Sequence, residues 1–487
     1  MDKKLFINYV YNILFQVTKF ALTFFLVPYT MEHLGESVLG ISDYASSICG
    51  WFVLFGVLGV STYGIREIGK VRDDKEELSR NFFEILTVQL HNVIIALILF
   101  VLYIELFVSE NKIIYYLYCF NLIGFGIDIT WFYYGVEDFK LVSIRNTLVK
   151  IASVILTILL VKTPSDLWKF VLINTSTNFL SQVLTYLGVR KYVNYTKVKI
   201  NEAYKHHLLP TFLLFIPTIA ADVYTLLNQT MLGTMIEDKG SVALFKTSQS
   251  FITMFLYFIT SIGAVVMPRI ANVYAKDEGS KEVNKYINST FNFAMILSIP
   301  MMFAMAAVSP NFFPWYLPNQ ADVMIRLVQV TCSVIVLISI TDVFGTQYLV
   351  PTGRTKELTI SVVLGFVVNV ILNILLIPRL QAIGASIGNV GAELTIVLVQ
   401  WWFVRNDIHL HSMNTFVKSL ISSLVMAIVV YVFGIILPSS VMSNGIQAIF
   451  GVITYLALMI LLKEETIIRI IKTNSVKIKN IITLLIF

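Results

Sequence analysis

"SVLGISDYAS" (37–46) returns as "SVALFKTSQS" (241–250), 204 residues later. Ser37, Val38 and Ser46 match Ser241, Val242 and Ser250. A second pair follows at nearly the same offset, 203: "REIGKVRDDKEE" (66–77) against "RIANVYAKDEGSKE" (269–282). Similarity at a constant offset marks a duplicated unit. What that unit is depends on the residues between the matched segments.

Those residues are mostly apolar. The chain of 487 residues is 57% hydrophobic and 14% charged, with a mean hydropathy of +0.77. A water-soluble surface needs far more charge than this. About 20 apolar residues cross a bilayer. Lipid satisfies no backbone group, so the crossings are helices. Runs of that length lie at 6–30, 42–64, 83–108, 113–134, 142–162, 167–189, 208–232, 242–267, 288–309, 323–345, 357–377, 383–404, 416–437 and 445–462, fourteen in all. The basic start "MDKK" leads into a full-length apolar stretch without an obvious cleavage site, so the first run reads as an uncleaved span.

Lys and Arg in the short loops set the orientation. The loop after span 2 holds Arg66, Lys70, Arg72, Lys75 and Arg80, and the loop after span 4 holds Lys140, Arg145 and Lys150. The loops after spans 6 and 8 are equally basic, whereas those after spans 1, 9 and 13 contain no Lys or Arg. Even-numbered loops are therefore expected in the cytoplasm, with both termini. The net charge of +6 follows this topology and is no signal for nucleic acid.

Six spans return the chain to the same side, so the two copies share one orientation. The expected fold is all-α and polytopic: two pseudo-symmetric six-helix bundles, 1–206 with its cytoplasmic linker and 207–412, then two added spans in 413–464 and a basic tail, 465–487. Parallel repeats of this kind rock about a central site in transporters.

Polar residues run in stripes along several spans. Span 1 carries Asn8, Asn12, Gln16, Lys19 and Thr23 on one helix face. Span 7 carries Thr218, Asp222, Thr225 and Gln229 at the same spacing. Adding the offset of 203 to Lys19 gives Asp222, so a lysine in one copy occupies the place of an aspartate in the other. Span 11 carries Ser361, Gly365, Asn369 and Asn373, and span 12 carries Glu393. A charge at mid-membrane costs roughly 2.5–3.5 kcal/mol on insertion scales, so it lines a cavity or finds a partner. Lys19, Asp222 and Glu393 are expected in such a cavity. The two asparagines either line it or hydrogen-bond between helices, and small residues on the stripe equally serve close packing. Asp43, Lys246, Arg326 and Asp342 lie near span ends, where snorkelling to the interface accounts for them as readily as function does. The six histidines lie mostly in or near loops and receive no role. Cys49, Cys119 and Cys332 fall in apolar runs and read as core residues. No CxxC, HExxH or P-loop occurs.

At 130–146 the chain reads "TWFYYGVEDFKLVSIRN". Asp128 precedes it inside span 4. Trp131, Phe132, Tyr133 and Tyr134 are expected at headgroup depth as interfacial anchors, with the charges in the next cytoplasmic loop. The longer stretch "IDITWFYYGVEDFKLVSIRNTLVKI" (127–151) resembles a signature of the bacterial Wzx-type polysaccharide flippases. "YGIREIGKVRDDKEELS" (63–79) resembles their first cytoplasmic loop, and "GRTKELTISVVLGFVVNVILNILLIPRLQAIGASIGNVGAE" (353–393) their span 11–12 region. The last pattern is shared more widely, across the superfamily that includes the MATE multidrug exporters.

The resemblance implies a MATE-like transporter without ATPase motifs or cofactor. It implies a bacterial cell-membrane protein that passes undecaprenyl-pyrophosphate-linked oligosaccharide units to the outer leaflet. O-antigen, capsule or exopolysaccharide is then built from those units. Polysaccharide polymerase and chain-length proteins become expected partners, and a proton or sodium ion the expected coupling ion. On this reading Lys19 with Arg66, Arg145 or Arg269 meets the pyrophosphate. Asn12, Gln16, Asn369 and Asn373 suit sugar hydroxyls, and Asp128, Trp131, Asp222 and Glu393 complete the lumen. Asp222 departs from an otherwise cationic lining, since an acid beside a pyrophosphate must be paired or protonated. A MATE-type drug or cation antiporter is the alternative, distinguished by an acidic cavity. A membrane enzyme would show a large outer loop or a catalytic His/Asp constellation, and the longest outward loop here, near 309–322, is short.

Overall fold

The computed structural model describes the backbone of residues 18, 20–275, 280–408 and 413–468, and their side chains except those of 139, 213–222, 258, 260–269, 271–275, 280–281 and 413. All of it is helix and connection. Two compact units divide the chain, Met1–Lys246 and Thr247–Phe487.

The first unit begins with α1 (20–33), then α2 (Glu36–Val57), α3 (Val60–Val71), α4 (Lys75–Phe107), α5 (Lys112–Gly126), α6 (Thr130–Gly135), α7 (Phe139–Leu160), α8 (Leu167–Val189) and α9 (Ile200–Met235). Helix α10 (Gly240–Ala275) starts in this unit and continues into the second. There α11 (Ser280–Tyr316), α12 (Ala321–Thr331), α13 (Ser333–Thr341), a π-helical stretch (Asp342–Leu349), α14 (Thr355–Val404), α15 (Met413–Ile436) and α16 (Val441–Leu461) follow. Among the described residues, nine helical stretches are long and apolar enough to cross a membrane. One of them is α14, whose 50 residues would extend ~75 Å as a straight rod, more than two bilayer cores. It is two helices joined at Gln381, where φ is 50°. This break falls in the gap the sequence places between spans 11 and 12.

Two other expected spans are broken. Span 2 bends at Leu58 and Gly59, both left-handed, with φ of 44° and 73°. Span 4 stops at Gly126 and resumes at Thr130. In the loop after span 2, Asp74 starts α4 by accepting hydrogen bonds from the amides of Glu76 (2.9 Å) and Glu77 (3.1 Å). Acids in that first turn complement the helix dipole.

Helix α9 packs on α2, α3 and α4, which is why it groups with the first unit. That unit's main buried cluster gathers Tyr63, Ile68, Phe82, Ile85, Trp131, Phe132 and Tyr133. In the second unit, α11, α13 and α14 build one core around Met295, Ile335 and Phe344. Helices α15 and α16 pack on α11 through a smaller one containing Val430, Tyr455 and Met459. Polar bonds close this last seam at two levels. Tyr455 OH donates to the Ile296 carbonyl at 2.8 Å, and Asn311 Nδ2 donates to the Gly434 carbonyl at 3.0 Å. The two added spans are therefore an integral layer on the second unit.

Candidate functional site

The break in span 4 is organised by one side chain. Gln89, on α4 and 1% exposed, donates to the carbonyls of Phe125 (2.7 Å) and Asp128 (3.0 Å). Its own oxygen accepts the Trp131 indole N–H at 3.0 Å. Asp128 Oδ1 accepts the amide of Thr130 at 2.8 Å and so starts α6. Non-helical backbone inside a membrane protein persists where such partners replace the lost helix bonds.

Three of the four aromatic residues that follow are not interfacial anchors. Trp131, Phe132 and Tyr133 are 2%, 0% and 0% exposed and lie inside the protein core. Short α6 turns them inward, because a new helix begins where the sequence reading continued span 4 unbroken. Gly64 makes room for this: a Cβ there would lie 2.5 Å from the Trp131 ring. Arg145, expected in a solvated loop, is also buried. Its guanidinium donates to Asn146 Oδ1 (2.7 and 3.1 Å) and to Thr185 Oγ1. Tyr133 OH donates to the Thr185 carbonyl at 2.6 Å. Trp131, Phe132, Tyr133 and Arg145 of the signature stretch thus form a buried junction of α4, α6, α7 and α8.

Arg66 is half-exposed, pairs with Glu67 at 2.9 Å, and lies over the Tyr63 ring at 5.6 Å. Asn12, Gln16 and Lys19 lie outside the described residues. Asp222 and Arg269 lie on α9 and α10, with their side chains outside the described part.

In the second unit, the stripe of span 11 is the seam of a helical hairpin. Gln400 Nε2 donates to Ser361 Oγ at 3.3 Å. Gly365 lies against Ile396, Asn373 against Gly388, and the Leu376 carbonyl against Gly384. These partners run in opposite directions about Gln381. Asn369 and Asn373 are fully buried there, with Asn373 Nδ2 donating to Asn369 Oδ1 at 3.2 Å. Glu393 is 8% exposed.

Two groupings were not legible in the sequence. Asp43 and Lys246, read as snorkelling, form an ion pair of 2.6 Å. They stand 203 positions apart. Beside them, Trp51 Nε1 donates to Thr230 Oγ1 at 2.9 Å, and the Tyr44 and Thr234 hydroxyls lie 3.2 Å apart. His207, read as a solvated loop residue, is 4% exposed and bonds Glu84 and Tyr63, each at 2.7 Å. No local pattern marks a contact across 123 residues; the one hint was an acid, Glu84, just inside an apolar run.

Among the described residues no group of three or more His, Cys, Asp or Glu side chains is placed to hold a metal ion. The profile of the family described as "Polysaccharide biosynthesis protein" matches residues 5–274. A relative from Escherichia coli (strain K12), described as "Putative O-antigen transporter", is 22% identical over 413 residues, 82% of this chain and 96% of its own. One of the same description from Shigella dysenteriae is 24% identical over 383 residues, 77% of this chain and 94% of its own. Among solved structures, the lipid II flippase MurJ in an inward closed conformation aligns with a TM-score of 0.74 at 16% identity, over 94% of this chain and 99% of its own. An inward-facing MATE multidrug transporter aligns at 0.59 and 13% identity, over 80% and 94%. The fold is that of MurJ and the MATE transporters.

Proposed function

The chain belongs to the polysaccharide biosynthesis protein family, and from that premise we propose that it is a flippase for lipid-linked sugar units. It moves undecaprenyl-pyrophosphate-linked oligosaccharide repeat units from the cytoplasmic to the outer leaflet of a bacterial cell membrane, supplying O-antigen, capsule or exopolysaccharide synthesis. The observation that carries this reading is the match to relatives described as O-antigen transporters across nearly their whole length.

The substrate chemistry suits the chain. A pyrophosphate calls for cations, a glycan for amide and hydroxyl partners, and a long lipid tail for a path that leaves it in the bilayer. In this reading Lys19, Arg66 and Arg269 meet the pyrophosphate, while Asn12 and Gln16 meet sugar hydroxyls. Asp222 neutralises Lys19 when no substrate is present. Arg145, committed to Asn146 and Thr185, positions the α7–α8 junction rather than gripping phosphate. Asn369 and Asn373 hold the span 11–12 hairpin, and Glu393 lies beside that seam. The two repeat copies, 1–206 and 207–412, exchange inward and outward access, with both termini in the cytoplasm. The polymerase and chain-length proteins take over the exported unit.

Deletion of the gene tests the reading. Lipid-linked repeat units should accumulate on the cytoplasmic side, and surface polymer should fall to background and return on complementation. Normal surface polymer in a deletion strain lacking any substitute transporter would refute it. Restoration of drug resistance instead would favour the multidrug antiporter.

A further inference from the structure

From Arg190 to Phe212 the chain leaves α8, passes the start of α4 and becomes the first turns of α9. This segment carries five cations, Arg190, Lys191, Lys197, Lys199 and Lys205, and one acid, Glu202. All five cations are exposed.

The segment is fixed in place. Tyr192 OH donates to Asp138 Oδ2 at 2.7 Å. Val193 is buried in the main cluster of the unit. The Asn194 amide donates to Ser79 Oγ at 3.0 Å, and the Tyr195 ring meets that of Phe83 edge to face, 5.6 Å between centroids. Tyr195 is nevertheless 79% exposed, so one edge of its ring is held and the rest faces outward.

The first turns of α9 cross α4 instead of running beside it. The linker meets α4 near its start, at Ser79. Tyr204 then bonds Asn92 at 2.6 Å, and His207 bonds Glu84 at 2.7 Å. Numbers on α9 rise while those on α4 fall. The inner face of these turns is Ala203, His207 and Thr211, all buried, and steps of four keep them together. Opposite them stand Lys205, Leu209 and Phe212, with Leu209 66% and Phe212 47% exposed. One cation beside two large apolar groups suits the boundary between headgroups and acyl chains. There the ring and the stems lie in the apolar layer and the ammonium reaches the headgroups.

The cations find little compensation within the protein. Lys199 pairs with Glu202 at 3.2 Å. Among the described residues the other four form no ion pair; Lys191 lies over the Tyr192 ring at 5.3 Å. Orienting a span needs basic residues near its ends, but it needs neither a linker fixed in place nor an exposed tyrosine among the lysines. Four to eight Lys or Arg beside a span at the cytoplasmic surface are the pattern that attracts anionic headgroups.

We propose that residues 190–212 are a docking surface for anionic phospholipid headgroups, in the leaflet on the side the basic loops assign to the cytoplasm. Lipid phosphates meet Arg190, Lys191, Lys197 and Lys205, while Tyr195, Leu209 and Phe212 enter the acyl boundary. On the two-copy reading, the lipid thereby holds the linker between the copies at the membrane surface. The proposal does not depend on what the chain transports.

Fluorescence quenching on the full chain in nanodiscs tests it. A single cysteine at position 201, in a protein with Cys49, Cys119 and Cys332 replaced, carries an environment-sensitive fluorophore. The nanodiscs are phosphatidylcholine with a minor, equal share of either phosphatidylglycerol or phosphatidylcholine bearing a nitroxide just below the headgroup. Quenching by the labelled phosphatidylglycerol should be at least about threefold stronger, as for several cations that each attract the headgroup. The preference should vanish in 0.5 M NaCl, where the screening length is under about 5 Å. It should also vanish when Arg190, Lys191, Lys197 and Lys205 are all replaced by Gln. Should that variant not fold, Lys197→Gln with Lys205→Gln must at least lower the preference. Equal quenching of the native protein by the two lipids overturns the proposal and leaves these charges as topology signals alone. So does a preference that survives the substitutions, which would assign the lipid to another basic loop.

Discussion

Gln89 shows how much a single amide can decide in a chain this apolar. It satisfies two carbonyls that the break at 127–129 frees and anchors the indole that packs over Gly64. Gln89→Leu keeps the volume and strands those carbonyls. It should lower stability by about 2 kcal/mol, since each buried group left without a partner costs about 1–3 kcal/mol before relaxation. Thermal melting of the detergent-solubilised protein measures this; Trp131→Phe, which loses the indole bond alone, should cost less. A Gln89→Leu protein as stable as the native one would mean that water or other groups hold the break. In the sequence, Gln89 was one polar residue in an apolar run, and nothing local tied it to Asp128. Asp128 itself was conspicuous as an acid within a span, but its task of starting α6 depends on the break, which periodicity does not show.

At the scale of elements, the hairpin within α14 joins what the sequence shows to what it hides. The stripe Ser361, Gly365, Asn369 and Asn373 was legible because helical spacing puts it on one face. The break was legible too, as a gap between two apolar runs. What the stripe faces was not, because a lumen and a helix seam both select small and polar residues. The structure places it against Gly388, Ala392 and Ile396. A Cβ on Gly388 would lie 2.2 Å from Asn373 Oδ1. Gly388→Ala should therefore destabilise the protein by about 1–3 kcal/mol, the usual cost of overpacking. Asn373→Ala should relieve much of that clash, so the double variant should be more stable than the sum of the single effects by about 1 kcal/mol. Additive melting shifts would show that Asn373 does not contact Gly388.

The whole molecule is where the apolar pattern reads most directly. Lipid leaves helices as the sole answer for runs of this length, and basic loops give each run a side. That pattern predicts positions 74 and 278 on the cytoplasmic side and 36 and 316 outside. Single cysteines at these positions, in a protein with Cys49, Cys119 and Cys332 replaced, should react with an impermeant maleimide only at 36 and 316 in whole cells. Labelling of 278 from outside would overturn the parallel arrangement of the two copies. Side-chain partners at this scale were illegible, because a pair such as Asp43 and Lys246 leaves no trace in local spacing.

That pair gives the sharpest test of how the copies move. Asp43 and Lys246 join α2 to the start of α10 at 2.6 Å. On the two-copy reading they belong to different copies and lie at the outer end, because α2 and α10 both enter the membrane from the outer loops. Rocking opens that end in one state and closes it in another. On that reading the ion pair ties the two copies at their outer end, and transport is expected to require it to part. Cysteines at positions 43 and 246 in the same cysteine-replaced background, joined by a short cleavable cross-linker, should reduce surface polymer to background. Reduction of the linker should restore it, and each single cysteine should be inert. Undiminished polymer at full cross-linking would show that the two copies do not separate at this point, and would move the opening elsewhere along the α2–α9 seam.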